Sequence, residues 1–305
     1  MNRDEIIHAF DRIRVWQRGD RRAVHKPLLV LYALARVLNG DAAMVDWNMA
    51  EPRLKELLEE FGPAGSSQTR HNPFWHLQTD GLWQLDGPPE LLARPAAATP
   101  TLAELRKSHV LGGFPKALRA ALAGDPGLAA TIASRIADAH FPESIRSDVL
   151  AAAGLPPDIA DESPRGEQRR RRDPAFREKV LCAYQYRCGV CGHDLRLGRQ
   201  TVGLEAAHIQ WFQAKGPDEI PNGIALCSLH HKVFDLGVFT VLPEAYQIVF
   251  SQHLNGNDET TRRFLSYQGA ALILPQAREY FPQAEFLNWH REEVFKNPGR
   301  GSAGP

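Results

Sequence analysis

Cys188-Gly-Val-Cys191 opens, and Cys227-Ser-Leu-His230-His231-Lys-Val-Phe-Asp235 closes, the stretch whose reading decides the fold. Between them stand Leu204-Glu205-Ala206-Ala207-His208-Ile209 and Pro221-Asn222-Gly223. Cys188-x-x-Cys191 and Cys227-x-x-His230 are two pairs of matched spacing. Three thiolates and one imidazole make the closed tetrahedral set that Zn2+ takes in structural sites, so the pairs predict a zinc knuckle clamping the two ends together. The alternative is reduced core thiols with His230 on the surface, and two matched pairs weigh against it. The run 204–209 reads as a strand delivering His208. Asn222 lies fourteen residues on, His231 nine further, and Asp235 four after that. At i and i+4, His231 and Asp235 share one face of the helix that closes the stretch, a natural pair for one divalent cation.

This arrangement resembles the HNH, or ββα-metal, nucleases. The resemblance implies that His208 is the general base that activates water and that Asn222 holds the loop and orients the His208 ring. It also implies that His231 and Asp235 hold a catalytic Mn2+ or Mg2+. Many members carry another ligand just before the base, where this chain has Ala207; Glu205, earlier on the same strand, is expected to stand in for it. His230 and His231 would then serve different metals, which successive helix positions allow by pointing about 100° apart.

The bulk properties are those of an ordinary globular chain. Its 305 residues suffice for two domains, with 43% apolar and 24% charged residues. Formal net charge is zero, so any nucleic-acid binding must come from local basic patches. Four cysteines, with one Cys-x-x-Cys pair, point to metal in a reducing compartment. No run of about 18 apolar residues would cross a membrane, and the N-terminus lacks a signal-like apolar core. The expected location is the cytoplasm. Cys182 reads as a buried thiol in a helix over 174–186.

Upstream, the spacing predicts helices over 5–16, 28–38, 51–61, 128–139 and 143–152, and a broken one over 102–123. The 28–38 helix is apolar nearly all round and should be buried. Before it, residues 17–27 form a loop with Arg18, Arg21, Arg22, His25 and Lys26, read either as a solvated loop or as an anion site at a helix start. Residues 74–85, with aromatics around Asp80-Gly81, read as a β-hairpin whose Trp75 and Trp83 are core. From Pro156 to Asp173 runs a linker with little to bury, ending in Arg169–Arg172, which either rests on DNA phosphates or stays solvated. Strands are expected over 238–242 and 246–250, and a helix over 286–295.

His25-Lys26-Pro27-Leu28-Leu29, Asn72-Pro73-Phe74-Trp75, Asp80-Gly81-Leu82-Trp83 and Gly112-Gly113-Phe114-Pro115 together resemble the sulfur-binding domain of phosphorothioate-dependent type IV restriction endonucleases. Asp173-Pro174-Ala175-Phe176-Arg177 and the 203–209 and 226–231 segments fit the nuclease half of the same family. The resemblance runs from about residue 5 to about 297. It implies a partner, double-stranded DNA in which sulfur replaces a non-bridging phosphate oxygen. Sulfur is larger and less strongly hydrated than oxygen, so a shallow apolar concavity favours it. By resemblance, Asn72, Pro73 and His76 belong to the pocket, although members often have an aromatic at the place of Asn72. Arg18, Arg21, His25 and Lys26 would contact the backbone and base edges beside it.

The expected class is α+β: a mostly helical reading domain with a β-hairpin (1–155), a basic linker (156–173), a ββα-metal nuclease domain with a zinc knuckle (174–297) and a disordered tail (298–305). Two rival functions remain open on the sequence. One is a zinc-stabilised DNA-binding protein with impaired catalysis, which Ala207 favours. The other is an HNH nuclease that reads a different modification, such as a methylated base. Cutting both strands with one centre per chain would make a homodimer reasonable.

Overall fold

Nine consecutive residues of one helix, Pro27 to Ala35, are buried, and the first half of the chain is assembled around them. A computed structural model describes residues 2–15, 21–22, 24–95, 98–156, 159 and 173–301. By its contacts the chain divides into two units, Met1–Glu167 and Gln168–Pro305. The linker sequence, including Arg169–Arg172 and apart from Pro156, Ile159 and Asp173, lies outside the described residues, as do Trp16 at the end of the expected first helix and Arg18 of the basic loop.

In the first unit the elements run α1 (Arg3–Asp11), α2 (His25–Leu38), β1 (Val45–Asp46), α3 (Trp47–Phe61), α4 (His71–His76), β2 (Gln84–Asp86), α5 (Pro89–Leu92), α6 (Leu102–Ser108), β3 (Leu111–Gly113), α7 (Lys116–Gly124), α8 (Pro126–His140) and α9 (Arg146–Ala153). Because α2 is apolar on every face, it takes neighbours on every face: α3, α4, α7, α8 and α9 all pack on it. A chain of edge-to-face rings continues the core, from Phe10 to Phe114 (5.7 Å), Trp83 (5.9 Å), Phe74 (5.6 Å) and Trp47 (5.0 Å). Such pairs contribute about 0.5–1.5 kcal/mol each beyond burial. Trp75 and Trp83 are core residues, 1% and 3% exposed.

The hairpin expected over 74–85 does not form. Residues 71–76 are α-helical, 77–80 continue as a 3-10 turn, and the strand that follows pairs with β3 instead, in the antiparallel order β1-β3-β2. The reason is local. Pro73 occupies the first turn of α4, where a missing N–H costs no helical bond. Gly81, at φ +73°, ends the helical run in the left-handed conformation rather than turning a hairpin. The third helix also starts earlier than the apolar period suggests, at Trp47, because the Asp46 side chain caps it by accepting from the Asn48 N–H at 2.7 Å.

The second unit contains α10 (Phe176–Ala183), β4 (Arg196–Leu197), β5 (Gln200–Thr201), β6 (Leu204–His208), β7 (Gly223–Cys227), α11 (Ser228–Asp235), β8 (Phe239–Leu242), β9 (Gln247–Phe250), α12 (Glu259–Leu265) and α13 (Ala284–Glu293). Antiparallel β6 and β7, followed by α11, form the ββα core, with Leu204 opposite Cys227 and His208 opposite Gly223. Helix α10 lies against this pair. It approaches so closely at Gly223 that a Cβ there would meet Val180 Cγ2 at 2.5 Å and the Phe176 ring at 3.2 Å. Two expectations are corrected. Cys182 is exposed, because α10 turns Val180, Leu181 and Ala183 inward and leaves that position outside. The tail is not free from 298: Gly299 bridges Ser251, and the Arg300 N–H donates to the Phe250 carbonyl at 2.7 Å.

Candidate metal centre and nucleic-acid interface

The knuckle Cys188–Cys191 is tied to β7 by the Gly189 N–H, which donates to the Ala225 carbonyl at 2.7 Å. This brings Cys188 and Cys191 to Cys227 and His230 at the start of α11. The four ligand atoms lie within 4.8 Å of one another. The Cys191 and Cys227 sulfurs are 4.0 Å apart, and His230 Nδ1 is 3.1 Å from Cys227 Sγ and 3.7 Å from Cys188 Sγ. Zinc–sulfur bonds of about 2.3 Å in a tetrahedron put sulfurs about 3.8 Å apart, so the set fits Zn2+ in both chemistry and size. Phe264, Tyr267 and Phe239 surround the His230 ring.

His208 ends β6 under the first turn of α10. The Phe176 ring stacks on its imidazole at 4.0 Å and 15°, and its Nε2 lies 2.8 Å from Asp218 Oδ1. Asp218 also accepts the Asp173 backbone N–H through Oδ2 at 2.7 Å. Asn222 is fully buried. It accepts the Gln210 N–H (2.8 Å) and donates to the carbonyls of Gln210 (3.0 Å) and Pro217 (2.9 Å), so it closes the loop 209–217 on itself. These bonds run to Gln210 and Pro217, and the carboxylate on the His208 ring is Asp218. The sequence reading missed Asp218 because an acid in a Gly-Pro-Asp turn has no signature beyond solvation.

His231 stands between two carboxylates. Its Nδ1 faces Glu205 Oε2 at 2.6 Å and its Nε2 faces Asp235 Oδ2 at 3.1 Å. Burial lowers its pKa, but Asp235 first and Glu205 next outweigh that and hold it well above the usual range. The cluster thus collects negative charge around one imidazole, the composition that suits a divalent cation. Glu205 and Asp235 lie on opposite nitrogens, however. Among the described residues, only the Cys3His set brings three or more ligand atoms together. Ser228 Oγ donates to Glu205 Oε1 (2.6 Å) and Arg177 donates to the Leu204 carbonyl (2.9 Å), fixing the end of β6 next to this cluster.

In the first unit, the start of α2 reaches both ends of α4. His25 Nε2 lies 3.0 Å from the Ser66 carbonyl and 3.0 Å from Thr69 Oγ1, just before α4. Lys26 makes an ion pair with the buried Asp80 just after it, and Arg14 joins the same carboxylate. Lys26 is therefore committed to Asp80, not displayed as a free cation. Glu51, buried in α3, accepts from Arg70 (2.6 Å) and Arg106 and so anchors the lead into α4. Within α4, Pro73 is buried while Asn72 and His76 are half-buried, and His76 Nε2 lies 2.7 Å from Thr99 Oγ1. Burial, with Lys26 nearby, lowers the pKa of His76; burial likewise lowers that of His25. Both imidazoles are thus biased towards the neutral form. Arg21 is exposed.

Residues 3–158, just over half of the chain, match the ScoMcrA-like DNA sulfur-binding domain family, and residues 188–242 match an HNH endonuclease family. Among solved structures, one similar chain is the sulfur-binding domain of ScoMcrA complexed with phosphorothioated DNA, at 23% identity and TM-score 0.44 over 49% of this chain and 94% of that one. Another is the sulfur-binding domain of SprMcrA in the same kind of complex, at 18% identity and TM-score 0.43 over 51% and 95%. A third is the type IV phosphorothioation-dependent restriction endonuclease ScoMcrA, at 19% identity and TM-score 0.43 over 66% and 41%. No curated protein matches the chain. On the family match, which covers more than half its length, the chain belongs to the ScoMcrA-like DNA sulfur-binding family and carries an HNH endonuclease domain behind that reading domain.

Proposed function

We propose that this chain is a restriction endonuclease that binds phosphorothioated DNA through its first unit and hydrolyses nearby phosphodiester bonds with its second. The observation that carries the proposal is the presence of both family matches on one chain. In the reading unit, Asn72, Pro73 and His76 of α4, with His25 at the start of α2, form the sulfur site, where imidazoles biased towards the neutral form suit a weakly hydrated sulfur better than a cationic pocket would. Arg18 and Arg21 of the adjoining loop supply phosphate and base-edge contacts, and Lys26 acts by fixing the 66–80 segment through Asp80.

In the cutting unit, His208 takes a proton from a water whose oxygen attacks phosphorus. The bond from phosphorus to one sugar oxygen breaks, and that oxygen receives a proton from solvent. His231 Nε2 and Asp235 would hold the Mn2+ or Mg2+, and Glu205, behind Nδ1, would orient the ring rather than act as a third ligand. The cation, when bound, supplies positive charge for the developing charge on the phosphoryl group and leaving oxygen. Zn2+ on Cys188, Cys191, Cys227 and His230 is structural. Two copies acting at one site would cut both strands.

The test uses two plasmids that differ only in phosphorothioate content, incubated with protein and Mn2+ or Mg2+. Selective cutting of the modified plasmid is expected, with His208→Ala inert yet still bound to it. Equal cutting of both, or of neither, sinks the proposal. Ala207, which gives no donor, and the split placement of Glu205 and Asp235 favour one rival, a binding protein with impaired catalysis. That rival predicts selective binding with no cutting in either metal.

A further inference from the structure

The HNH resemblance supplies a base, but not the group that decides which of its nitrogens does the work. In this chain His208 is gripped from two sides that meet at one carboxylate. Asp218 Oδ1 faces Nε2 at 2.8 Å, while Asp218 Oδ2 takes the Asp173 N–H at 2.7 Å. Both side chains are nearly closed off, His208 13% and Asp218 11% exposed. Phe176, three residues after Asp173, stacks on the same ring. The carboxylate cannot rotate without giving up one bond, and the ring cannot tilt without leaving Phe176.

We propose that Asp218 is the positioning residue for the base: it accepts the Nε2–H of His208, which puts the ring proton on Nε2 and the proton-accepting lone pair on Nδ1. An ionised carboxylate only accepts hydrogen bonds, so it selects the tautomer in which Nε2 carries hydrogen. The same carboxylate stabilises the imidazolium that forms when Nδ1 takes the proton from water. The backbone N–H of Asp173 fixes the carboxylate in turn, so the entry of the chain into the second unit is part of the base's support. The role rests on His208 being the base, as proposed above.

The decisive measurement needs no turnover. In zinc-loaded full-length protein labelled with 15N, the imidazole signals of His208, assigned by their loss in His208→Ala, are expected to show the Nε2–H tautomer. A predominant Nδ1–H tautomer overturns the proposal, whether or not the protein cuts DNA. Asp218→Asn then separates positioning from stapling. An amide can serve only one of the two donors with its oxygen and sets its NH2 against the other. The expected result is a kcat lower by about 100-fold or more, with KM, zinc content and binding to phosphorothioated DNA unchanged within about two-fold, and partial recovery in Asp218→Glu. A kcat within about three-fold of wild type overturns the role, as does a loss that only follows lost zinc. If wild type cuts neither plasmid, the nuclease reading fails, while the tautomer measurement still decides whether Asp218 sets the ring proton of His208 on Nε2.

Discussion

Glu205 shows how much one side chain's placement changes its chemistry. Its two oxygens are divided between Ser228 Oγ and His231 Nδ1, and both contacts lower its pKa, the His231 hydrogen bond most. Burial opposes that shift, so the carboxylate stays ionised because it has partners. With Asp235 on the other nitrogen, Glu205 is placed as the group behind the imidazole. Carboxylates in that place set the tautomer and basicity of a ligating histidine, and losing one lowers metal affinity by about 10- to 100-fold. Glu205→Gln is therefore expected to weaken activation by Mn2+ by about that factor, with maximal cutting recovered at high metal and zinc content unchanged. Titrating cleavage against Mn2+ reads this directly. A lost maximum with unaltered metal dependence would make Glu205 part of the chemistry itself.

At the scale of elements, α8 carries a group that reports on its own burial. His140, in the last turn of α8, is half-buried; burial first and Arg22 second pull its pKa from 6.5 down to about 4. The unfolded chain binds a proton there more readily than the folded one. Its contribution to stability is therefore complete above about pH 6.5 and drains away as pH falls towards about 4. Melting temperatures of the first unit should fall across that window, and His140→Gln should flatten the slope. An unaltered slope would mean that His140 is accessible to protons in the folded protein.

The elements also show what could be read in advance. The α2 helix was legible because its apolar residues leave no polar face, which allows only burial. The ββα stretch was legible because the Cys3His set, His208, Asn222 and His231 sit at fixed spacings, and spacing survives translation into structure. The 74–85 hairpin was misread because Asp80-Gly81 suits a hairpin turn and a left-handed helix end equally well. Pro73 in a helical first turn decided between them. Asp218 was invisible for a different reason: its partner is ten residues back, across a loop whose closure depends on Asn222.

On the scale of the whole molecule, zero net charge leaves any nucleic-acid recognition to local surface patches. No helix among the described residues is long and apolar enough to cross a membrane. Each unit has its own core, and only the second contains the Cys3His set. Structural zinc contributes on the order of 10 kcal/mol to the folding of small zinc domains. Stripping zinc with a strong chelator should thus unfold the second unit and end cleavage, while phosphorothioated DNA still binds the first. Calorimetry with and without chelator should show one transition displaced and the other kept. Parallel loss of both transitions would show that the units do not fold separately.

The grip of Asp173 and Phe176 on Asp218 and His208 has a consequence for modular exchange. A reading domain can be replaced by another only if the splice lies upstream of Asp173, because the first residues of the cutter complete the surroundings of the proposed base, His208. A fusion joined at Arg177 would inherit the zinc, the ββα core and His231, yet its His208 would have neither the amide that steadies Asp218 nor the ring that covers it.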